Sequence, residues 1–200
     1  MKRGQSSQKL KKIKAQVASL FATRGYHRTS MREIAKEVGL TQSSLYHYFK
    51  SKEEILFCLM NEAMDEALKT LKETFQAGLS PEGRLRRILS FYTTYYAGDQ
   101  DRLVLLVNEM NALSPENRSI LIAKQKEYVA LIRSTVQELQ RAHKAKNLDA
   151  TVATFAFFGM VHYTYKWYRK DGPVSLKELG DIFTEIFLNG ITLQEGKRPV

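Results

Sequence analysis

Cysteine is almost absent from this chain, prolines number four, and no long apolar run occurs. Each scarcity removes a class of protein. With Cys58 alone, no internal disulfide can form, so a fold stapled by bridges for an oxidising compartment is excluded. Cys58 lies in a predicted helix among Leu56, Leu59 and Met60, and it reads as a small buried hydrophobe rather than a nucleophile. A reducing, cytoplasmic setting is the expectation. The most apolar stretch, Ala150 to Val161, falls short of the ~20 residues a membrane span needs. The basic N-terminus is not followed by an apolar segment, so no signal peptide is expected there. Catalytic constellations are also missing. His27, His47, His143 and His162 have no metal-ligand spacing, and no Gly-rich phosphate loop, nucleophile elbow or paired carboxylates are present. Neither enzymatic activity nor a cofactor or metal is expected.

Acidic side chains are scarce in one region. Residues 1–52 hold only Glu33 and Glu37 against twelve lysines and arginines, while the remaining residues balance nineteen bases with nineteen acids. The whole formal net charge of +10 therefore sits in the first quarter of the chain. Solubility alone does not require such sorting, whereas a head that binds a polyanion does. A solvated basic tail on an unrelated fold is the plain alternative.

The rest of the composition, 44% hydrophobic and 26% charged, is that of a soluble globular protein. Residues 1–8 are polar and read as disordered, with basic side chains near a phosphate backbone. From Lys9 to Arg24 the apolar residues Leu10, Ile13, Val17, Leu20 and Phe21 recur at helical spacing with lysines opposite, and Gly25 stops the helix. Ser30-Met-Arg-Glu33 and Ser51-Lys-Glu-Glu54 read as capping boxes opening a second and a fourth helix. Between them, Met31 to Val38 makes a short helix closed by Gly39, and a third helix starts with Thr41 as N-cap. Two short helices joined by a tight Gly-containing turn are the outline of a helix-turn-helix, whose second helix enters the DNA major groove. Leu45 and Phe49 would face inward and Gln42, Ser43, Tyr46 and His47 outward.

Ile34-Ala35, Gly39-Leu40-Thr41 and the run Leu45-Tyr46-His47-Tyr48-Phe49-Lys50-Ser51-Lys52-Glu53-Glu54 together resemble the signature of the TetR/AcrR family of transcriptional regulators. The resemblance implies a ligand-responsive regulator, commonly a repressor, that reads a palindromic operator in double-stranded DNA as a dimer. It places the family's motif tyrosine on Tyr46 and its lysine on Lys52. Where the family often has Gly after the turn, this chain has Ser43-Ser44. On this reading Gln42, Ser43 and Tyr46 lie near base edges with Arg32 reaching from the second helix. Thr29, Ser30, Thr41, His47, Tyr48 and Lys52 position the phosphates. A sequence-indifferent, nucleoid-type DNA-binding protein without an effector is the alternative.

The body reads as helical throughout. A long amphipathic helix runs from Ile55 to Gln76. Ser80-Pro81-Glu82 and Ser114-Pro115-Glu116 open helices of about 81–97 and 115–145, with a shorter one at about 100–112 between them. A helix of about 149–169 is apolar almost all round, and Ser175-Leu-Lys-Glu178 caps a last helix striped with Leu176, Leu179, Ile182, Phe183, Ile186, Phe187 and Ile191. The fold class is all-α, about nine helices, with residues 1–52 a three-helix DNA-binding head and 53–200 an effector-binding and dimerisation body. A helix apolar on every side must be covered on every side, which points to a homodimer with a four-helix seam; a larger monomeric core is the other reading.

The body is rich in aromatics with polar tips on successive helices. A packed core can use them, but buried hydroxyls each need a partner. We expect a small hydrophobic or amphipathic effector lined by Tyr92, Tyr95, Asn108, Met110, His162, Tyr163 and Trp167. Trp167-Tyr168-Arg169 followed by Phe187-Leu-Asn-Gly190 loosely resembles the family members that respond to acyl-CoA thioesters. That likeness would set Arg102, Lys166 and Arg169 toward the CoA phosphates.

Overall fold

The computed structural model describes residues 2–193, with side chains from Gln8 onward. Apart from one isolated bridge between Ala145 and Thr192, the described residues contain helices and turns only. The all-α expectation holds. Two compact units divide the chain: the first comprises the residues up to Met64 together with Asp101–Leu121, and the second Asp65–Gln100 together with the residues from Ile122 onward.

The first unit contains α1 (Lys2–Arg24), α2 (Met31–Glu37), α3 (Gln42–Tyr46) and the beginning of α4 (Lys52–Gln76). It also contains α6 (Gln100–Asn108) from Asp101 onward, a 3-10 turn (Met110–Ala112) and the start of α7 (Pro115–Arg141). Its core is the stripe read from the sequence, with Val17, Phe21, Ile34, Leu45, Ile55 and Leu59 all buried. The helical backbone of α1 starts at Lys2 rather than Lys9, so the polar N-terminal segment extends that helix instead of being disordered. The Ser30 capping box is complete, each partner accepting the other's backbone N–H. The box expected at Ser51 is only half made. Ser51 accepts the Glu54 N–H, but the Glu54 carboxylate turns to the N–H of Lys50.

One lysine of α1 departs from the outward face assigned to it. Lys14 is buried, and its ammonium pairs with Glu62 of α4. Burial pulls the Lys14 pKa down, but hydrogen bonds to Glu62 and Cys58 outweigh that pull, and the net direction is up.

The second unit takes the rest of α4 and α7, then α5 (Pro81–Gly98), α8 (Ala150–His162), α9 (Thr164–Trp167) and α10 (Leu176–Ile191). The helix expected over 149–169 is interrupted. The Thr164 hydroxyl donates to the Val161 carbonyl at 2.7 Å, competing for an acceptor of the helical ladder, and the chain turns at Tyr163. The apolar surface of α8 divides in two: Thr154, Phe157, Phe158 and Val161 are buried, while Val152 and Phe155 are 67% and 57% exposed. The stripe of α10 divides likewise, with Leu179, Phe183, Phe187 and Ile191 buried and Ile182 and Ile186 exposed.

α5 and α10 approach closely at Gly180. A Cβ placed there would lie 2.9 Å from Thr94 Cγ2 and 3.3 Å from the Ser90 carbonyl oxygen. Gly180→Ala should therefore destabilise the protein by about 1–3 kcal/mol through overpacking, and by less in a Thr94→Ala background where one obstacle is gone. Urea unfolding of the two singles and the double gives the coupling, and additive effects would show that the contact is not the cause.

Candidate nucleic-acid interface

The turn and the third helix are built from local hydrogen bonds and two apolar anchors. At the end of α2, the Leu40 N–H reaches the Ala35 carbonyl at 2.9 Å and the Gly39 N–H reaches Lys36 at 3.3 Å. This is a Schellman closure with Gly39 in the left-handed region at φ 66°. Thr41 then caps α3, its hydroxyl oxygen accepting the Ser44 N–H at 3.1 Å. The same oxygen lies within hydrogen-bond distance of the Ser43 and Ser44 hydroxyls. Leu45 is fully buried, and its carbonyl accepts the N–H groups of both Tyr48 and Phe49. With Leu45 and Phe49 fixed inward, Gln42, Ser43, Tyr46 and His47 project outward and are exposed. Tyr48 is half-buried beside them.

Ser30 and Arg32 are exposed at the start of α2. The Ser30 hydroxyl donates to the Glu33 carboxylate at 2.7 Å, and this bond, with the one from the Ser30 N–H, holds that carboxyl below its ordinary pKa. Thr29 and Lys52 do not have the outward roles expected of them. Thr29 is only 3% exposed, and its hydroxyl donates to the Gly25 carbonyl at 2.9 Å. The Lys52 ammonium donates to the carbonyls of Tyr26 (2.9 Å) and Thr29 (2.8 Å), and it lies 4.3 Å from the centre of the Tyr26 ring. Thr29 closes the turn between α1 and α2 on itself, and Lys52 ties that turn to the start of α4. Arg28, Lys36 and Lys50, which the charge count included but to which no contact was assigned, are exposed.

Residues from mid-chain are bonded into the same unit. The Glu53 carboxylate accepts the Ser114 N–H at 2.8 Å and the Asn117 side-chain amide at 2.9 Å, at the start of α7. Those two bonds, the backbone one first, hold the Glu53 carboxyl below its ordinary pKa. His27 Nε2 lies 3.5 Å from the Glu109 carboxylate. Sequence spacing gave no signal of this tie, because the partners are separated by 61 and 64 residues.

In the second unit the aromatics gather around Tyr92. Its ring packs against Tyr96, Tyr128, Phe157, Phe158 and His162 at centroid distances of 4.5–6.0 Å. The Tyr92 hydroxyl lies 2.9 Å from His162 Nε2, and the Tyr96 and Tyr128 hydroxyls lie 3.4 Å apart. Burial pushes the Tyr92 and Tyr96 phenols well above their ordinary pKa. Tyr95 donates to Glu66 at 3.0 Å. Polar tips thus find their partners within this cluster.

Comparison with known proteins agrees with both halves. Residues 16–58 match the family described as bacterial regulatory proteins, tetR family, and residues 78–191, more than half the chain, match the tetracyclin repressor-like C-terminal domain. The chain belongs to the TetR family. A TetR-family transcriptional regulator from Bordetella parapertussis 12822 is 34% identical, with a TM-score of 0.82, over 90% of this chain and 93% of its own. AibR, solved in complex with isovaleryl coenzyme A and operator DNA, is 29% identical with a TM-score of 0.79, over 89% and 97% of the two chains. The fatty acid metabolism regulator protein of Bacillus subtilis (strain 168) is 26% identical over 174 residues, 86% of this chain and 90% of that protein. This TetR-family protein is accordingly a DNA-binding transcriptional regulator. No helix among the described residues is long and apolar enough to cross a membrane.

Within the TetR-family body, the seven residues expected around an effector do not share one environment. Tyr92 is buried and Tyr95 and His162 are partly so, while Tyr163 and Trp167 are 61% and 50% exposed. Asn108, exposed, and Met110, half-buried, belong to the first unit. His162 stacks on Phe158, ring centroids 5.5 Å apart and nearly parallel, and burial pushes its imidazole down to about 4. The folded state therefore holds His162 neutral where the unfolded chain, titrating near the ordinary 6.5 of a histidine, takes up a proton. Stability is full above that value and is lost as the pH falls toward about 4. Between pH 7 and pH 5 this group should cost about 2 kcal/mol of unfolding free energy. His162→Gln should flatten that part of the profile, measured as urea midpoints at the two pH values. An unchanged difference would assign the acid sensitivity elsewhere.

Proposed function

We propose that this TetR-family regulator is a repressor that binds a two-fold-symmetric operator as a homodimer and leaves it when a small hydrophobic or amphipathic effector, an acyl-CoA thioester, is bound. The observation that carries this reading is the outward face of the capped helix α3, held by Leu45 and Phe49. The likeness to AibR, which is solved with both an acyl-CoA and operator DNA, supports the ligand class. Gln42, Ser43 and Tyr46 read base edges, with Arg32 from α2, and Ser30, Thr41, His47 and Tyr48 face phosphates. Thr29 and Lys52 serve the interface by fixing the turn that precedes α2. Functionally, residues 1–52 form the DNA-reading part and 53–200 the effector and dimer part. The protein is cytoplasmic and non-enzymatic, and needs no cofactor.

TetR-family regulators bind DNA as dimers. The exposed residues Val152 and Phe155 of α8 and Ile182 and Ile186 of α10 supply an apolar seam for a second copy. Two heads are needed because a palindrome presents two half-sites. For the effector, Tyr92, Tyr95 and His162 supply polar groups in an aromatic frame, with Tyr163 and Trp167 at the surface. Lys166 and Arg169 carry charge for CoA phosphates. Linkage supplies the switch: an effector preferring a dimer unable to seat both heads weakens operator binding by the same factor, typically about 1–3 kcal/mol. α4, continuous from Lys52 to Gln76, is the lever.

Tyr46→Ala should abolish the shift of a selected operator fragment in a gel while leaving the melting curve and the dimer intact; unchanged affinity would remove Tyr46 from the site. Calorimetry with a panel of acyl-CoAs of different chain lengths should give saturable heat for at least one. No heat from any of them would discard the acyl-CoA class while leaving the DNA reading in place.

A further inference from the structure

A groove of about 380 Å³ lies in the first unit beside the turn that leads into α3. One wall is α1, with Lys9, Lys12 and Gln16; the other is the end of α2 and its turn, with Glu37, Val38 and Gly39. Lys9 and Lys12 are exposed on that wall. The turn wall is low, because a Cβ on Gly39 would meet nothing within 4 Å. Its one carboxylate, Glu37, faces the Arg24 guanidinium at 3.5 Å, which offsets its charge. Val38 and Gly39 belong to the turn that joins α2 to α3, so the groove borders the helix-turn-helix.

We propose that this groove seats the sugar-phosphate backbone of the DNA duplex beside the major groove that α3 enters, with Lys9 and Lys12 as phosphate contacts and the Gln16 amide as a neutral donor. The proposal rests on the DNA-binding reading and extends it from the helix-turn-helix to α1. The two exposed lysines and the turn shared with the helix-turn-helix select the occupant. A backbone strand is anionic along its whole length, and a duplex gripped by α3 presents such strands at the margins of the groove. These contacts are indifferent to sequence. They add affinity and fix the angle at which α3 enters, whereas Gln42, Ser43 and Tyr46 choose the bases.

The test is the salt dependence of binding, followed by fluorescence anisotropy on two labelled duplexes: one selected by the wild-type protein from a random pool, the other a mixed sequence of equal length. Each neutralised phosphate contributes about 0.9 to the slope of log affinity against log salt. The Lys9→Gln/Lys12→Gln double variant should have a shallower slope by nearly 2 on both duplexes. Over a fourfold rise in salt its affinity should then fall about tenfold less than that of the wild type. The ratio of affinities for the two duplexes should be unchanged. Lys9→Arg/Lys12→Arg should keep the wild-type slope, and Lys11→Gln, an exposed lysine of α1 outside the groove, should change it little. A slope unaltered in the double variant overturns the proposal, as does an equal effect of Lys11→Gln, which would mean a diffuse cationic field. If the wild type favours neither duplex but the slope still falls, sequence-specific reading fails and the groove contact stands. If the wild type binds no DNA, both readings fall together.

Discussion

A helix of five residues cannot persist on its own hydrogen bonds, because nucleation alone fixes several dihedrals for a single bond. α3 therefore exists only as long as its surroundings hold it, and the interface with DNA inherits that condition. The restraints come from three directions. The Schellman closure at Gly39 sets the direction in which the chain leaves α2, Thr41 satisfies the free N–H of Ser44, and Leu45 with Phe49 ties the helix to the core. Lys52 adds a fourth restraint one helix later, by gripping two carbonyls of the turn before α2. A charge that composition would assign to the surface is thus spent on shape, and the groups that α3 and its cap turn outward are amide, hydroxyl, phenol and imidazole.

The second unit follows the opposite logic. Its aromatic cluster around Tyr92 carries phenols and one imidazole instead of ions. Keeping Tyr92, Tyr96 and His162 neutral spares the unit the desolvation cost of buried charge, and their mutual bonds spare it the cost of unsatisfied polar groups. The exposed apolar rows on α8 and α10 are a separate surface with a separate purpose.

Much of this was legible in the sequence where the determinants are local. The Ser30 and Ser175 boxes, the Ser80 cap and the Gly39 stop depend on residues three or four positions apart, and each lies where the pattern puts it. The inward turn of Leu45 and Phe49 follows from their spacing. What local pattern did not reveal are pairings across long separations. Lys14 looked like one more surface lysine until Glu62 met it, and Lys52 like one more phosphate contact until the carbonyls of Tyr26 and Thr29 did. Thr29 is a different case, its hydroxyl donating to the Gly25 carbonyl only four residues back. The break at Tyr163 escaped notice because a run of aromatic and β-branched residues reads as one helix when the competing bond of Thr164 is unseen. Among the aromatics, composition pointed to Tyr92 and His162, which pack together, but not to which of the others stay at the surface.

The bonding of Glu53 to Ser114 and Asn117 bears on how such proteins can be recombined. The packing unit that carries the reading helix draws on residues 101–121 as well as on the first 64. An N-terminal segment transplanted onto a foreign body would leave behind the Ser114 amide and the Asn117 side chain, and its Glu53 would arrive with no donor to meet. Chimeras that exchange operator preference should travel with the mid-chain segment, and lineages that shuffle these halves must keep an acceptor and its amides matched across a gap of some sixty residues.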